Sequence, residues 1–547
     1  MGVEPTFRCW YVVMKPRSRQ FDDHFVTAID AKISEIPYKE GSSFGSFTPA
    51  KGCLPGTRMA FLDFIVDWVN NPAAKHMLVL FGLAGTGKSS IAHEIARRFD
   101  KSRRLSSSFI FVRKEQSRSE AHHLFTNIAH NLAGRYPLFK AALGRAVKDD
   151  ISLRRDTHDY DILFQRLILQ PLEEVTIVGP ILVVIDALDE SGDSTRQDGL
   201  HTFLANNLSS LPSNFRILIT SRPEERIVSA FRAAEESAIR IHMDNPKLAV
   251  NTHNDILALL RKELSSHIFE RHGEALAKRA EGLFQWAAVA CRYVERKPIL
   301  EREETIQRLL SIAADGQDPL TELYKGVLGE LFSEVDAKGL FCPIVGQILA
   351  AFEPLSIRSL TRLQRHTFPD SNLVVETLHM LGSLLSNVTL DDTLPVVPLH
   401  TSFRDFVTNE EKSGIFYVDL HEAHRQLANS CLSLMLDDLK FNICNLKSSY
   451  LANEDVKDLH ERIANLPPAL SYACRLWDDH MGQLDFEADL FCKLQSFFRK
   501  KFLFWLEILS VMSAVGLASP ALSSVRKWLA SNHGVSTAVD LVRWSND

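Results

Sequence analysis

A short glycine-rich string, FGLAGTGKSS, contains the residues of this sequence that are best suited to hold a phosphate. It has the pattern GxxxxGK[ST], which ends at Lys88 and Ser89. Glycines let the backbone wrap an anion with its N–H groups, and the following helix points its positive N-terminus at the same anion. Lys88 would reach the β- and γ-phosphates of a nucleotide, and the Ser89 hydroxyl would bind Mg²⁺. The predicted nucleotide-binding residues are Gly82, Leu83, Ala84, Gly85, Thr86, Gly87, Lys88, Ser89 and Ser90.

A second motif, ILVVIDALDE, supplies the carboxylate that Mg²⁺ needs from another strand. Asp186 ends a continuous apolar run, as expected for a metal-binding residue at the carboxyl edge of a buried strand. Asp189 and Glu190 follow in the next loop, and we predict that at least one of them aligns a water on the γ-phosphate, with Glu190 preferred. A helix N-cap and a first-turn acid are the alternative interpretation.

An arginine is predicted at the same edge of the sheet, because the fourth predicted strand ends in TSRPE. A guanidinium group suits phosphate oxygens, so Arg222 is a candidate to sense or neutralise the γ-phosphate. A surface arginine beside a proline turn is the alternative. No Asn-Lys-x-Asp guanine signature occurs in the sequence. ATP or ADP with Mg²⁺ is therefore the predicted ligand, and GTP is the alternative.

The apolar runs that must position these residues alternate with helical patterns. Five runs have the length and composition of buried strands, which predicts a five-stranded parallel sheet covered on both faces. These runs are 77–81, 107–112, 181–186, 215–220 and 238–243. The predicted fold class is an α/β P-loop NTPase domain followed by mainly helical domains, because strand-like runs become rare after Asn245. Within 354–407, strand-like runs flank an Asp-Asp turn, which predicts a small helix-plus-hairpin unit.

Composition argues against several other classes of protein. The 547 residues, 45% hydrophobic and 24% charged, are typical of a globular chain with several domains. A net charge of -6 gives no footprint for nucleic acid or an acidic membrane surface, so neither partner is expected. The eight cysteines include no CxxC pair, which indicates neither a zinc site nor a disulfide framework.

The N-terminus and one apolar segment bear on location. The N-terminus lacks a charged region followed by an apolar core, which favours a cytoplasmic protein, although Gly2 lies in a weak match to the myristoylation pattern. Residues 502–522 are apolar, but Glu507 and Pro520 interrupt them. We predict a buried helix that ends near Gly516, not a membrane span.

The motifs GLAGTGKSS, ILVVIDALDE with its small Ala187, and ITSRPE together resemble the NACHT domain of STAND-class NTPases, in particular the fungal set related to NOD-like receptors. Further segments resemble parts of those proteins in the same order. They are CLPGTR at 53–58, EGLFQWAAVACRYV at 281–294, EPLSI at 353–357, LHTSFRDF at 399–406 and PPALSYACRLW at 467–477. The resemblance covers roughly residues 50 to 530, and motifs that occur jointly and in order are more specific than any one of them.

The resemblance implies a particular order of domains. These are an N-terminal segment and linker at 1–50, a NACHT domain at 51–245, a helical domain at 246–337, a winged-helix domain at 338–409 and a second helical domain at 410–547. It also implies that His400 of the winged helix contacts the β-phosphate of ADP, a purely structural histidine being the alternative. By the same resemblance, Arg222 becomes the γ-phosphate sensor. Neither the C-terminal repeats nor the effector domain of many relatives is recognised in the sequence.

The leading functional hypothesis is a slow NTPase that works as a signalling switch. It would alternate between an ADP-bound closed form and an ATP-bound open form that oligomerises with itself or with other proteins through the NACHT domain. Its effector and sensor partners are unknown, and fungal self/non-self or innate-immune-like signalling is the setting that the resemblance implies. An interaction scaffold with nucleotide as a structural ligand is the alternative. A metabolic kinase is a third hypothesis, for which no acceptor-substrate lid is evident.

Overall fold

The protein is represented by a computed structural model, which describes residues 33, 36–38, 52–112, 121–148, 159–192, 199–244, 246–312, 318–389, 391–447 and 451–530. The chain divides into two compact units. The first takes Met1–Gly52, Phe61–Phe81 and Ser89–Ile241, and the second takes Cys53–Ala60, Gly82–Lys88 and His242–Asp547. The predictions for Gly2 and for most of the segment 1–50 lie outside the described residues.

The first unit is built on a five-stranded sheet in the order β2-β3-β4-β1-β5. The strands are β1 Met77–Phe81, β2 Leu105–Ile110, β3 Ile181–Asp186, β4 Phe215–Ser221 and β5 Ala238–His242. β4 pairs in parallel with both β1 and β3, and β2 pairs in parallel with β3. Because parallel strands run in one direction, the carboxyl ends of β3 and β4 lie side by side at one edge of the sheet.

The strands of the sheet differ in burial. Every residue of β1, β3 and β4 is buried, as continuous apolar runs predict for strands covered on both faces. β2 begins and ends two residues earlier than the predicted run 107–112, and all its residues except Ile110 are buried. In β5 only Ala238 is buried, so the prediction of a fully buried strand was wrong there; β5 is an edge strand.

Helices of the first unit pack on this sheet. They are α1 Met59–Asn70, α2 Lys88–Lys101, α3 His122–Arg135, α4 Pro137–Lys148, α5 Tyr160–Phe164, α6 Leu200–Asn207 and α7 Glu225–Ala233. Alternate residues of the central strands, such as Val79, Ile185 and Ile219, share one apolar core with residues of α3 to α7. Phe125 and Phe203 pack edge to face within that core, with ring centres 5.5 Å apart.

The described part of the second unit is helical apart from one two-stranded hairpin. Its helices are α8 Pro246–Glu263, α9 Ser266–Arg279, α10 Phe284–Arg296, α11 Ile299–Ser311, α12 Pro319–Leu331, α13 Cys342–Ala350, α14 Ile357–Leu363, α15 Ser371–Met380, α16 Thr401–Val407, α17 Leu420–Asp438, α18 Leu459–Ala464, α19 Pro468–Met481, α20 Ala488–Lys500, α21 Phe502–Val511 and α22 Ala518–Ala530. Shorter helical turns carry no label here. One apolar core runs through this unit from Ile256 to Leu529.

The hairpin lies where strand-like runs flank an Asp-Asp turn in the sequence. β6 Leu385–Ser386 pairs antiparallel with β7 Val397–Pro398, and Asp391 lies between them. Helices α13 to α15 precede the hairpin and α16 follows it. Because a single core runs through the second unit, burial does not mark separate domains there. The winged-helix identification and the boundaries at 245, 337 and 409 stay predictions.

The apolar segment that was tested for a membrane span is broken into two helices. α21 ends at Val511, earlier than the predicted end near Gly516, and α22 begins at Ala518. Ser513 has a φ of 56°, a left-handed conformation that ends the first helix. Among the described residues, no helix combines the length and the apolar character that crossing a membrane requires.

One buried acid of α19 predicts a pH dependence of stability. Burial, with a smaller contribution from Asp479, raises the pKa of Asp478 to about 7. The folded protein therefore holds this proton more tightly than the unfolded chain does, so stability is present below the ordinary carboxyl pKa and is lost as the pH rises through 7. We expect Asp478→Asn to raise the free energy of unfolding by about 2 kcal/mol more at pH 8 than at pH 4.5. Urea unfolding followed by tryptophan fluorescence measures this, and an equal effect at both pH values would contradict it.

Candidate functional site

The carboxyl ends of β3 and β4 bring Asp186 and Thr220 together. The Thr220 hydroxyl donates to Oδ1 of Asp186, and it accepts the backbone N–H of Ala187 at 3.0 Å. The Ser89 hydroxyl donates to the same Asp186 oxygen at 3.1 Å. The two residues that were predicted to bind Mg²⁺ are thus in direct contact. Thr220, to which the sequence assigned no role, orients the carboxylate.

The chain turns sharply after Asp186. Ala187 has φ 57° and ψ 49°, the left-handed conformation, which costs a residue with a Cβ about 1–2 kcal/mol. The hydrogen bond from its N–H to Thr220 offsets part of that cost. The chain then enters the 3₁₀ turn Leu188–Glu190, in which Asp189 and Glu190 are both buried.

Asp189 and Arg222 form a two-point pair. One carboxylate oxygen of Asp189 accepts the backbone N–H of Arg222 at 2.9 Å, and the other lies 3.1 Å from its Nε. The Asp189 side chain is 4% exposed, whereas that of Arg222 is 29% exposed. A charge-assisted bond to a buried acceptor fixes the direction of the guanidinium group. Two residues that were predicted to act separately on the γ-phosphate are therefore joined.

The loop Gly82–Lys88, which belongs to the second unit, follows β1 directly. Gly85 and Gly87 have φ values of +83° and +90°, a conformation that side chains with a Cβ rarely adopt. The Lys88 ammonium group donates to the carbonyl oxygens of Gly82, at 2.7 Å, and Leu83, at 2.9 Å. The two left-handed glycines allow the tight turn that a phosphate-binding loop needs, and contact of Lys88 with a phosphate stays a prediction.

Arg58, which lies 24 residues before the loop Gly82–Lys88 in the sequence, hydrogen-bonds to that loop. Its guanidinium group donates to the Thr86 carbonyl at 3.0 Å and to the Thr252 hydroxyl at 2.8 Å. Its backbone N–H donates to Asp255 at 3.1 Å, and its guanidinium carbon lies 4.9 Å from the ring centre of Phe284. Burial lowers the pKa of Arg58, and the attraction of Asp255 opposes this shift. The sequence singled out the CLPGTR segment through a resemblance, but the role of Arg58 follows only from its contacts in the folded protein.

The first turn of α10 also contacts the loop. The backbone N–H of Gln285 donates to the Gly85 carbonyl at 3.2 Å. A Cβ on Gly85 would lie 2.8 Å from the Cβ of Gln285, so glycine is needed for this close approach as well as for its φ. Gln285 lies in the EGLFQWA segment, which was noted for its resemblance alone. The sequence signal that could have indicated a role for Gln285 is that it is a polar residue inside an apolar helical pattern.

His400 caps helix α16. Its Nδ1 accepts the backbone N–H of Ser402 at 3.1 Å and lies 2.7 Å from the Ser402 hydroxyl oxygen. The side chain is partly exposed. This capping contact is what a structural histidine would make, and contact with a nucleotide phosphate stays a prediction.

The oxygen atoms of Ser89 and Asp186 suit Mg²⁺. This ion prefers hard oxygen ligands and usually keeps several waters and phosphate oxygens, so one or two protein ligands suffice. Among the residues that the structure describes, no group of three or more His, Cys, Asp or Glu could hold a metal. The hydroxyl of Ser89 and the carboxylate of Asp186 are oxygen donors that fit a magnesium ion arriving with a nucleotide. When bound there, such an ion would neutralise charge on the phosphates.

Comparison with known proteins gave one family match. Residues 57–222 match the family model described as "Nephrocystin 3, N-terminal". Curated proteins gave no match. One similar solved structure is a Signal Transduction ATPase with Numerous Domains (STAND) protein with a tetratricopeptide repeat sensor, from Pyrococcus horikoshii. It has 16% identity, a TM-score of 0.40, and a match covering 92% of this chain and 60% of that one. Another is Cdc6p from Pyrobaculum aerophilum, with 13% identity and a TM-score of 0.29. That match covers 70% of this chain and 96% of the Cdc6p chain.

The matched residues begin within the GTR segment and end at Arg222, so they include the loop Gly82–Lys88 and Asp186. The five-stranded sheet, with the GxxxxGK[ST] loop directly after β1, and the helical remainder confirm the predicted fold class. The match falls on the same part of the chain as the motifs that resemble the NACHT domain of STAND-class NTPases. The present chain spans 60% of the length of the archaeal STAND protein.

The contact between Thr220 and Asp186 predicts a magnesium-dependent effect. Thr220→Val keeps the shape of the side chain but removes the hydroxyl that orients the carboxylate. We expect nucleotide affinity in the presence of Mg²⁺ to fall about tenfold, equivalent to about 1.4 kcal/mol. Titration of a fluorescent ATP analogue with Mg²⁺ and with EDTA measures the effect. Thr126→Val, at a buried threonine of α3, is the matched control. An equal loss in EDTA would contradict the assignment.

The contacts of Arg58 predict that lysine cannot replace it. A single ammonium group cannot reproduce the fork that reaches the Thr86 carbonyl and the Thr252 hydroxyl together. We expect Arg58→Lys to weaken ATP and ADP binding about five- to tenfold, measured by isothermal titration calorimetry. Arg475→Lys, which alters another two-point pair, with Glu353, is the matched control. Native affinity in Arg58→Lys would show that the loop does not depend on this arginine.

Proposed function

We propose that this protein is a nucleotide-dependent signalling switch, a slow ATPase that cycles between an ADP-bound closed form and an ATP-bound open form competent to oligomerise. The observation that carries the proposal is the attachment of the P-loop to helical elements. The Gly85 carbonyl accepts the N–H of Gln285, and the Thr86 carbonyl accepts the guanidinium group of Arg58. A change in loop conformation on phosphate binding must alter these bonds, so helices of the second unit would respond to the nucleotide.

The ligand of this switch is a nucleoside triphosphate or diphosphate with Mg²⁺. The loop N–H groups and Lys88 would bind the phosphates, and Ser89 and Asp186 would bind the metal. The 3.1 Å contact between the Ser89 hydroxyl and Asp186 supports this assignment, because it brings both metal ligands together. ATP is preferred because the sequence lacks a guanine signature, and GTP stays the alternative.

Hydrolysis would divide the two acids between two roles. Both carboxylate oxygens of Asp189 contact Arg222, so Asp189 would position this arginine against the γ-phosphate. Glu190, which follows it in the same buried turn, would align the attacking water. A γ-phosphate that attracts Arg222 would compete with Asp189 for the guanidinium group, which gives the site a means to distinguish ATP from ADP.

The closed form would be held by His400. We assign it a contact with the β-phosphate of ADP, as the resemblance implies for the histidine of the winged helix. The contact between Nδ1 and the Ser402 N–H supports this, because an Nδ1 that accepts an N–H places the proton of a neutral imidazole on Nε2, and a protonated Nε2 is a donor of the kind that a phosphate oxygen accepts. On the same resemblance, we propose homo- or hetero-oligomers formed through the NACHT domain, with separate sensor and effector partners, in fungal self/non-self or innate-immune-like signalling.

A scaffold that binds nucleotide without turnover is the second candidate. Because an acid bonded at both oxygens is a poor general base, the pairing of Asp189 with Arg222 makes turnover depend on Glu190 of these two acids. Phosphate release by Glu190→Gln discriminates between the candidates. A loss of turnover with unchanged ATP affinity supports the ATPase, and an unchanged rate alongside intact binding supports the scaffold.

Replacing the P-loop lysine tests the switch directly. We expect Lys88→Ala to weaken ATP binding at least about a hundredfold, because a charged contact to two phosphates is lost. In the native protein, a non-hydrolysable ATP analogue should increase the mass measured by light scattering on a sizing column, relative to ADP. Lys101→Ala, at the far end of α2, is the control and should behave as native. A native mass that never responds to nucleotide would rule out the switch.

A further inference from the structure

We propose that Tyr324 and Ser402 are positioning residues for His400, because a chain of polar contacts with these two buried hydroxyl groups at its centre runs from the P-loop to this histidine and fixes its proton on Nε2. The inference rests on the role of His400 given under the proposed function and deepens it. All members of the chain belong to the second unit, which includes the loop Gly82–Lys88.

The part of the chain next to His400 consists of two hydroxyl groups. The Tyr324 hydroxyl, from α12, lies 2.9 Å from that of Ser402, in α16. The Ser402 hydroxyl lies 2.7 Å from Nδ1 of His400, which also accepts the Ser402 backbone N–H at 3.1 Å. Tyr324 is 1% exposed and Ser402 is 7% exposed, so water competes little for these bonds.

The other end of the chain is attached to the P-loop. The side chain of Gln285 interacts with the Tyr324 hydroxyl and lowers its pKa, which opposes the effect of burial. The backbone N–H of the same residue donates to the Gly85 carbonyl at 3.2 Å. Gln285 therefore touches the loop with its main chain and the tyrosine with its amide group. A displacement of the loop at Gly85 would move the first member of the chain.

The hydrogen bonds between Tyr324, Ser402 and His400 all run in one direction, from donor to acceptor, towards Nδ1 of His400. A backbone N–H can only donate, so Nδ1 of His400 must present a lone pair to Ser402. The Ser402 hydroxyl then donates to Nδ1 as well, and its oxygen is left to accept from Tyr324. The Tyr324 oxygen accepts in turn from the Gln285 amide. Neutral His400 consequently carries its proton on Nε2, the form that can donate to a phosphate oxygen.

The surroundings of Tyr324 keep its hydroxyl a donor in a fixed place. Burial raises the pKa of Tyr324 to about 12, so the phenol keeps its proton at neutral pH. Its ring packs against Phe403 and Phe406, with ring centres 5.4 Å away in each case. A helix cap alone would need only an acceptor for the Ser402 N–H, which serine or asparagine provides. The Ser402 hydroxyl on Nδ1, and the Tyr324 hydroxyl bonded to that of Ser402, exceed that need.

A double-mutant cycle on ADP affinity tests the inference. His400→Ser keeps a good N-cap but is too short to reach a phosphate, and Tyr324→Phe removes only the hydroxyl. We expect each change to weaken ADP binding about five- to tenfold and the double variant to bind no more weakly than His400→Ser alone. The matched control is Tyr472→Phe, which removes a buried tyrosine hydroxyl that is also bonded to a histidine, His480, at 2.7 Å. It should leave ADP affinity unchanged.

The outcomes separate this inference from the proposed function. Additive losses of ADP affinity would show that Tyr324 acts independently of His400. If Tyr324→Phe bound ADP with native affinity while His400→Ser lost affinity, the inference would be wrong but the role of the histidine would stand. No loss in His400→Ser would refute that role, and the inference with it. Gln285→Met, which keeps the N–H to Gly85 and removes the amide, is a second variant, and its loss should also vanish in the His400→Ser background. Additivity there would count against the chain.

Discussion

A loop that turns its N–H groups towards an anion turns carbonyl oxygens away from it, and these oxygens then need donors elsewhere. The P-loop of this protein meets that requirement mainly with side chains and helix N–H groups of the second unit. Arg58 serves the Thr86 carbonyl and Gln285 serves the Gly85 carbonyl, while Lys88 covers two carbonyls of the loop itself. The shape of the phosphate-binding loop therefore depends on residues that lie far from it in the sequence.

The acidic edge of the sheet obeys a similar constraint, because its carboxylates are buried. Asp186 is stabilised by hydroxyl donors, which leave its charge available to a cation. Asp189 is instead paired with Arg222, which neutralises it. Two acids three residues apart thus have different chemistry because one faces hydroxyl groups and the other a guanidinium group. The sharp turn at Ala187 separates them and points each to its own partner.

The features that depend on short stretches of sequence could be predicted from the sequence alone. The P-loop, the strand that ends at Asp186 and the change to helices after β5 follow from glycine spacing and apolar periodicity. The exposure of β5 does not, because β2 and β5 are both edge strands and only β5 is exposed, a difference that depends on what packs against each strand. The hydrogen-bond partners of the site residues could not be predicted from the sequence either. Arg58 and Thr252 are 194 positions apart, and Tyr324 and Ser402 are 78 apart, so only tertiary packing brings them together.

The place of β4 between β3 and β1 has a consequence for the order of folding. Asp186 and Thr220 are only 34 positions apart, whereas β1 pairs with β4 across most of the first unit. Closing a shorter loop loses less chain entropy, so we expect β3 and β4 to associate first. The carboxylate that would bind the metal is then oriented while the strand that leads into the P-loop is still unpaired. Nascent chains would acquire the acidic edge early and the phosphate loop late.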